Sequence, residues 1–460
     1  MRVRGASFLN ISLPDEINYA LEKIHQYGFE AFIVGGCVRD ALLGRVSNDY
    51  DITTNALPED IILIFKDHRV IVTGLKHGTI TIVINHIPIE ITTYRVDGKY
   101  TDHRHPDEVS FTSDLIEDLK RRDFTINALA YNHQRGIVDY FNGIKDIQKR
   151  IIRTVGSPNE RFEEDALRIM RALRFSAVLS FTIVEETKIS IHANKDKLTL
   201  ISIERITSEL SKMICGRYIE KVIQEFGDII EVIIPQFSVK GEIKCIGEME
   251  TDYNRIAKIV SNTPPMLHLR LAALFYFLHR PRIILYENRV WDKCKYGNEE
   301  NASFIKEILK IMRFDKETIN QVYTLTCYRE LNVGNKKNEI KKWLNTLTPK
   351  VLTDLLELQR AAALSEFPEQ MGKIDQIEKI KGLVDEIISS NSSYSLKDLS
   401  VNGRDLIEIG IPQGKIIGEI LQQLLDEVIE ERLPNEREKL LKRAKSICKN
   451  KWSGSQVVRW

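Results

Sequence analysis

A strand, a glycine turn and a helix follow one another near the N-terminus, and this order constrains the fold more than any other stretch. The apolar run 31–34 predicts a buried strand. Gly35 and Gly36 predict a turn, and residues 38–43 predict a helix that ends at Gly44. Because a helix N-terminus presents unpaired N–H groups and a positive dipole, the turn indicates a phosphate-binding site.

Two aspartates flank Tyr50 in the next segment. If residues 49–53 form a strand, alternation places Asp49 and Asp51 on the same face. Adjacent carboxylates repel one another unless a cation lies between them, and carboxylate oxygens suit Mg²⁺. A phosphate site beside a metal site indicates phosphoryl or nucleotidyl transfer. Each motif alone is also typical of an ordinary turn or a solvated loop, so the rest of the chain must decide.

The composition is that of a globular protein with several domains. The chain has 460 residues, of which 43% are hydrophobic and 28% are charged, and this length predicts two to four domains. A net charge of +1 means that any nucleic acid must bind to a local basic patch. The six scattered cysteines, without Cys-x-x-Cys, favour reduced thiols over zinc ribbons or disulfides. Since no signal-peptide core or membrane-length apolar run is present, we expect a cytoplasmic protein.

The pattern along the chain predicts an α+β fold, with a small N-terminal sheet followed by an all-α region. Residues 1–150 alternate between helical and strand patterns, and from about residue 151 helical periodicity dominates. Asn85-His86 predicts a hairpin turn, and residues 95–114 predict a long polar loop. Further strands are predicted at 70–73, 79–84 and 87–93.

Glu90 alternates with isoleucines in the predicted strand 87–93, so its side chain faces away from theirs. A carboxylate on a neighbouring strand can complete a metal site and accept the proton of an attacking hydroxyl. The alternative, a glutamate that faces solvent on a half-buried strand, remains equally open from position alone.

A dense polar cluster follows at residues 121–127. Arg121 and Arg122 can clamp phosphate oxygens. Asp123 and Asn127 lie four residues apart, on one face if this segment is a helix, and can hold a ribose hydroxyl. By composition alone, the cluster is equally consistent with an exposed, salt-bridged turn.

Asp165 and Arg168 are spaced to share one face of a helix predicted over 161–179. A carboxylate accepts from the exocyclic amine of cytosine or adenine, and a guanidinium donates to their ring acceptors. Uracil and guanine present the reverse pattern, so such a pair can select C and A as a template base would. Arg171 and Arg174 extend the basic stripe. The alternative interpretation is an ordinary helix salt bridge.

These motifs, in this order, strongly resemble the class II tRNA nucleotidyltransferase and bacterial poly(A) polymerase family, its CCA-adding members above all, within the DNA polymerase beta-like superfamily. The resemblance is dense over residues 30–215 and resumes at 402–435. It implies a nucleotidyltransferase palm or head (1–150), a neck that selects the base (151–215), a helical body (216–345) and a helical tail that binds tRNA (346–460).

The resemblance also implies the chemistry. It implies Mg²⁺ held by Asp49 and Asp51, with Glu90 as a third catalytic acid, CTP and ATP as substrates, and tRNA as the primer. We expect no membrane contact and no stable protein partner. The nucleotide-binding residues that it implies are Gly35, Gly36, Arg39, Arg122, Asp123, Asn127, Asp165, Arg168, Arg171 and Arg174.

Several activities within this family remain open from the sequence. The loop from Arg95 to Val109 looks complete, which disfavours addition of CC alone. The short basic C-terminal segment and the tail pattern before it favour tRNA over a general RNA primer. An A-adding enzyme, a poly(A) polymerase and, in another class, a non-catalytic RNA-binding protein on the same scaffold are the alternatives.

Overall fold

The chain forms two compact units, residues 1–242 and 243–460. The computed structural model describes residues 11–47, 49–98, 109–237, 253–278, 298–390 and 392–453. Within these ranges, every strand belongs to the first unit. The domain boundaries predicted at residues 150, 215 and 345 stay predictions.

A mixed sheet of seven strands forms the frame of the first unit. The strands of this unit are, in chain order, β1 (Ala31–Val34), β2 (Asp51–Thr54), β3 (Arg69–Gly74), β4 (Thr79–Ile84), β5 (Ile87–Thr93), β6 (Arg95–Asp97), β7 (Val109–Phe111), β8 (Leu129–Asn132), β9 (Gly136–Asp139), β10 (Ile151–Ile152) and β11 (Thr182–Ile183). The order in the main sheet is β3-β4-β5-β2-β1-β8-β9. β1 runs antiparallel to both of its neighbours, whereas β2 and β5 are parallel. All four residues of β1 are buried, as its apolar run predicts.

Helices pack around this sheet and continue beyond it. They are α1 (Asp15–Gln26), α2 (Gly36–Leu42), α3 (Pro58–Ile64), α4 (Leu115–Lys120), α5 (Gly143–Lys149), α6 (Pro158–Glu164), α7 (Leu167–Leu179), α8 (Glu185–Asn194), α9 (Ile203–Ile214) and α10 (Ile219–Ile233). α7 packs against α9 and α10. Its buried face is rich in apolar residues, which explains why this helix forms the centre of the helical part.

The predicted hairpin at Asn85 and His86 is confirmed. Both residues have positive φ, 48° and 69°, which is the backbone of a two-residue type I′ turn. β4 and β5 pair antiparallel on either side of it. Ile89 and Ile91 are buried while Glu90 is exposed, as the alternation predicts.

The predicted loop 95–114 contains regular structure that the sequence pattern did not indicate. β6 and β7 pair antiparallel, with Arg95 opposite Phe111. The loop residues on which the choice of activity was based, Asp102, Arg104 and Pro106, lie outside the described residues.

The second unit is helical over its described residues. Its helices are α11 (Tyr253–Asn262), α12 (Leu267–Leu274), α13 (Asn298–Ile311), α14 (Lys316–Tyr328), α15 (Lys337–Leu347), α16 (Pro349–Leu364), α17 (Met371–Ser389), α18 (Gly403–Glu408), α19 (Lys415–Ile429) and α20 (Arg437–Ser453). α18, α19 and α20 enclose one apolar core that includes Leu406, Leu424 and Leu440. Throughout the described ranges, each helix is too short or too polar to cross a membrane.

A substitution at Gly143 tests how tightly this residue packs against the end of the polar cluster at residues 121–127. A Cβ at this position would lie 2.2 Å from the backbone oxygen of Thr125, in the 3₁₀ turn Thr125–Asn127. We expect Gly143→Ala to lower the free energy of unfolding by about 1–3 kcal/mol, because backbone must move to relieve this overlap.

Gly382, inside α17, supplies the control, since an added Cβ there meets nothing within 4 Å. Gly382→Ala should raise the free energy of unfolding by about 0.5–1 kcal/mol, the helix-propensity gain. Both changes are measured by denaturation of the full chain. A Gly143→Ala chain as stable as the wild type would contradict the packing described.

Candidate active site

The glycine turn brings two guanidinium groups close to the backbone. Gly35 has φ 77° and precedes α2, which begins at Gly36 rather than at the predicted Val38. A Cβ on Gly35 would lie 3.2 Å from Nη1 of Arg122, and one on Gly36 would lie 3.6 Å from Nη2 of Arg39. Because these two glycines lack a side chain, they let the guanidinium groups approach the backbone closely, and they also permit the turn.

Asp51 and Glu90 lie opposite one another where β2 begins, and Asp49 is close enough to affect Asp51. The strand begins at Asp51, so the prediction that Asp49 lies in the same strand is wrong. The parallel register with β5 places Asp51 directly opposite Glu90. Burial by the surrounding chain and the nearby Asp49 raise the pKa of Asp51; Glu90 adds to this, and Arg122 opposes it. The Asp51 side chain still reaches solvent, so the group is open to a ligand.

Asp118 positions the arginine pair. This aspartate is fully buried and accepts from Arg121 at 2.7 Å and from Arg122 at 3.4 Å. Burial opposes its ionisation, but the two arginines outweigh burial and lower the pKa of Asp118. Arg121 makes the shorter of the two contacts with Asp118. The Nε of Arg122 is buried and has no hydrogen-bond partner among the described residues. Arg122 is thus the arginine that faces the glycine turn.

Asp123 and Asn127 meet, although the segment is not one helix. Asp123 follows the end of α4, and Asn127 ends a separate 3₁₀ turn. The Nδ2 of Asn127 donates to Asp123 at 3.1 Å, and its Oδ1 accepts from Nη1 of Arg39 at 2.7 Å. Asp123 also accepts from Nε of Arg171 in α7 at 2.6 Å. One hydrogen-bonded chain therefore connects the glycine turn to α7.

The Asp123–Arg171 contact is a partly buried ion pair, since a third of the Arg171 side chain is exposed. Only 8% of Asp123 is exposed. Burial opposes its ionisation, but Arg171 and Asn127 together hold the pKa of Asp123 at about 2. Arg171 gains from the same contact, since Asp123 raises its pKa. Both groups are charged at neutral pH.

Asp165 and Arg168 do not share a helix face, so that prediction is wrong. The helix predicted over 161–179 is broken at Asp165, whose backbone is extended at φ −146° and ψ 102°. The Asp165 carboxylate accepts from the backbone N–H of Leu167 at 3.0 Å, a local bond that competes with helical pairing.

Each member of the pair has another partner. Asp165 accepts from Arg205 of α9 at 2.7 Å. Arg168 donates to Glu164 at 2.5 Å and to the backbone oxygen of Arg121 at 3.1 Å. The two side chains are thus held separately, one by α9 and the other by the arginine-rich segment.

Arg171 and Arg174 converge on one buried acid. Glu209 of α9 is 6% exposed and lies 4.0 Å from Arg171 and 3.2 Å from Arg174. Burial lowers the pKa of Arg174, while Glu209 counteracts this loss. Glu209, on the neighbouring helix α9, therefore pairs with the basic residues predicted on α7.

The structure brings most predicted site residues into one connected set. Gly35, Gly36, Asp51 and Glu90 lie around the turn and strand ends, near Arg122. Arg39, Asn127, Asp123 and Arg171 form the hydrogen-bonded chain. Among the described residues, no group of three or more His, Cys, Asp or Glu side chains is arranged to hold a metal ion by itself.

Sequence reasoning did not single out three residues that this set depends on: Asp118, Arg205 and Glu209. Arg205 lies forty residues from Asp165, and Glu209 lies thirty-five from Arg174. No spacing rule pairs residues so far apart. For Asp118, the spacing of three and four residues to Arg121 and Arg122 offered a signal.

Asp123→Asn tests this ion pair. The change leaves Arg171 without its main partner, but water reaches part of its side chain, so we expect about 1–3 kcal/mol less stability at pH 7. The pKa of Asp123 is lower in the folded chain than its ordinary value of 3.8, so the stabilisation is present above about pH 4. It is lost as pH falls towards 2. Denaturation of both chains at pH 7, 4 and 3 should show that the difference in free energy of unfolding between wild type and Asp123→Asn becomes smaller as the pH falls.

Asp67→Asn serves as the matched control, because Asp67 is exposed. Its effect should stay within about 0.5 kcal/mol at each pH. A pH-independent difference between wild type and Asp123→Asn would contradict the assigned linkage.

Comparison with known protein families matches three parts of the chain. Residues 31–153 match the poly A polymerase head domain, and residues 180–238 match a probable RNA- and SrmB-binding site of polymerase A. Residues 287–444 match a putative domain 2 of tRNA nucleotidyltransferase. The residues that form the glycine turn, the carboxylates and the polar cluster all fall within the first match.

Whole-length relatives show the same kinship. The CCA-adding enzyme of Ligilactobacillus salivarius is 34% identical over 96% of this chain and 99% of its own length. That of Enterococcus faecalis is 34% identical over 94% of this chain and 97% of its own.

Solved structures agree in fold. The Bacillus stearothermophilus CCA-adding enzyme in complex with CTP has 27% identity and a TM-score of 0.69, with 96% of this chain and 98% of that one covered. The Thermotoga maritima CCA-adding enzyme complexed with tRNA has 20% identity and a TM-score of 0.61, with 96% and 97% covered. The predicted α+β fold is confirmed, and the resemblance found in the motifs extends over nearly the whole chain. The chain therefore belongs to the family of CCA-adding enzymes, the class II tRNA nucleotidyltransferases.

Proposed function

We propose that this chain adds CCA to the 3′ end of tRNA, using CTP and ATP, by metal-dependent nucleotidyl transfer without a nucleic-acid template. The observation that carries the proposal is the convergence of the Asp51–Glu90 pair, Arg122 and the Gly35 turn in one place. The family membership supports it, and the relatives named CCA-adding enzymes favour CCA addition over the A-adding, poly(A) and non-catalytic alternatives.

Asp49 and Asp51 fit a divalent cation such as Mg²⁺. Burial and then repulsion by Asp49 raise the pKa of Asp51, and a cation at this position would oppose both effects. Mg²⁺ commonly takes one or two protein carboxylates and fills its other positions with water and substrate phosphates. Asp49 and Asp51 supply two carboxylates and not a complete set of protein ligands, which is the arrangement that Mg²⁺ commonly takes. When bound, the ion would lower the pKa of the attacking hydroxyl and neutralise charge on the phosphates.

The glycine turn and Arg122 would hold the triphosphate. Nη1 of Arg122 lies against Gly35, where a side chain would block it. A guanidinium presents paired donors that match phosphate oxygens. Arg39 is buried and already bound to Asp40 and Asn127, so we assign it to fixing the turn beside the phosphates rather than to a free clamp.

The reaction joins the tRNA 3′ oxygen to the α-phosphorus of the nucleotide. The new P–O bond forms as the bond to the β-phosphate oxygen breaks, and pyrophosphate leaves with that electron pair. Glu90 is exposed opposite Asp51 and would accept the proton of the 3′-hydroxyl. Asp123 and Asn127 would keep the sugar side of the site in place through their bonds to Arg171 and Arg39.

Asp165 and Arg168 would select the base. A carboxylate and a guanidinium offer the acceptor and donors that cytosine and adenine require, and uracil and guanine lack the matching pattern. Arg205 and Glu164 hold these side chains in place from either side, so both are fixed before a nucleotide enters. Arg171 and Arg174 would make further nucleotide contacts.

The second unit would bind tRNA through the predicted tail, residues 346–460. Its last helix, α20, carries Lys439, Lys442 and Lys445, whose charges suit a phosphate backbone. The cytoplasmic location expected from the sequence, from its cysteines and its apolar runs taken together, would bring the enzyme to its tRNA and nucleotides.

The direct test of this function uses tRNA transcripts that end before, within or after CC. With CTP and ATP, the expected products end in a single CCA, and each shorter primer is extended by only the missing nucleotides. Sequencing of the product ends gives the result. Long oligo(A) tails on unrelated RNA, or addition of A alone, would overturn the proposal.

Asp49→Asn separates the metal role from folding. We expect nucleotide incorporation to fall by about a hundredfold or more, since charge stabilisation at the phosphates is lost. Because Asp49 repels Asp51, the variant should be more stable than the wild type when divalent ions are absent. Added Mg²⁺ should raise the melting temperature of the wild type and not that of the variant.

Asp67→Asn, at an exposed position away from this pair, should behave as the wild type in both assays. Retained activity in Asp49→Asn, or an equal response to Mg²⁺, would refute the metal role.

Asp165→Ala tests base selection. The ratio of kcat/KM for CTP over UTP should fall about tenfold or more, because the acceptor for the exocyclic amine is gone. Glu163→Gln is the control, since Glu163 is an exposed acid of α6 whose carboxylate pairs with Lys197 at 3.2 Å. An unchanged ratio in Asp165→Ala would remove this residue from base selection.

A further inference from the structure

Phe175 lies among three guanidinium groups. The guanidinium carbons of Arg39, Arg171 and Arg174 lie 5.1, 5.4 and 4.2 Å from the centroid of its ring. The Phe175 side chain is only 6% exposed. Guanidinium groups within about 6 Å of an aromatic centroid are attracted to the ring face, and this attraction strengthens as water is excluded.

The three arginines reach the ring from two different parts of the site. Arg39 comes from α2, directly after the glycine turn, whereas Arg171 and Arg174 come from α7. Phe124, beside Asp123, meets the same ring edge-to-face at 5.8 Å and 85°. The Phe175 ring therefore contacts the turn, the arginine-rich segment and the helix that carries the basic stripe.

Each of the three arginines also pairs with an acid. Arg39 bonds Asp40, Arg171 bonds Asp123, and Arg174 pairs with Glu209. These pairs offset the charge of each arginine, but none of them spans from Arg39 to Arg174. The Phe175 ring contacts all three, and an aliphatic side chain of similar size would fill the space without attracting them.

We infer that Phe175 is a positioning residue, whose ring holds Arg39, which fixes the glycine turn, at a set separation from the α7 arginines that contact the nucleotide. The inference rests on the proposed function for its consequence, since it is the nucleotide that benefits from this arrangement. The attraction between ring and guanidinium groups is a property of the chain itself and can be measured without substrate.

Fluorinated phenylalanines at position 175 test the inference without changing the shape of the ring. Each added fluorine withdraws charge from the ring face, so a cation–π contact weakens stepwise while packing is nearly constant. We expect KM for CTP to rise with the number of fluorines, to about tenfold for the trifluoro ring, with a smaller change in kcat. The melting temperature should fall in the same order.

The same series at Phe162 is the control, because this phenylalanine is fully buried in α6 and no cation–π contact is found for it among the described residues. It should change neither quantity progressively. Two conventional variants give a second readout: Phe175→Leu should lose CTP affinity, and Phe175→Tyr, which keeps the ring, should restore most of it.

A flat response to fluorination at Phe175, or an equal response at Phe162, would overturn the inference. If the unmodified enzyme adds CCA and the series is flat, only the positioning role fails. If the unmodified enzyme does not add CCA, the proposed function fails, and the melting-temperature series alone decides whether the ring holds the arginines.

Discussion

The arrangement of the site depends on one ion pair, between the buried Asp123 and the partly exposed Arg171. Removing two charges from water is costly, and the contact is favourable only when the remaining polar atoms are also bound. Both oxygens of Asp123 are used, one by Arg171 and the other by Asn127 and its own neighbour's N–H. From this pair the chain of contacts reaches Arg39 and the glycine turn in one direction and Glu209 in the other. Arg39 beside the glycine turn and the arginines of α7 thus share one anchor.

The carboxylate site differs from this ion pair, because the charges that it brings together have the same sign. The parallel pairing of β2 with β5 places Asp51 beside Glu90, and Asp49 adds a further negative charge. This arrangement raises the free energy of the apo chain, and the proposed cation would relieve it. A rigid, well-paired cluster thus lies next to a poorly neutralised one. The first keeps the geometry constant, and the second leaves charge available for a ligand.

Much of the fold was predictable because local patterns determine local structure. The apolar run of β1, the alternation of β5 and the Asn85-His86 turn are all confirmed. The errors occurred where a side chain competes with the backbone or a neighbour sets the strand end. Asp165 breaks the predicted helix through its bond to Leu167, and β2 begins only where β5 offers a partner, at Asp51. Periodicity contains neither kind of information.

The sequence by itself determined the family of this chain and the residue types on which the proposed chemistry rests: a glycine turn, two aspartates two residues apart, and an acid and an arginine three residues apart. These depend on residue type and short spacing, which the chain contains directly. Only the tertiary structure decided the partners: Arg205 for Asp165, Glu209 for Arg174, and the Phe175 ring for three arginines. Most of these contacts join residues on different helices, far apart in the chain. Packing brings such residues together because apolar faces are buried, and the apolar pattern of a helix does not specify which polar residues then become neighbours.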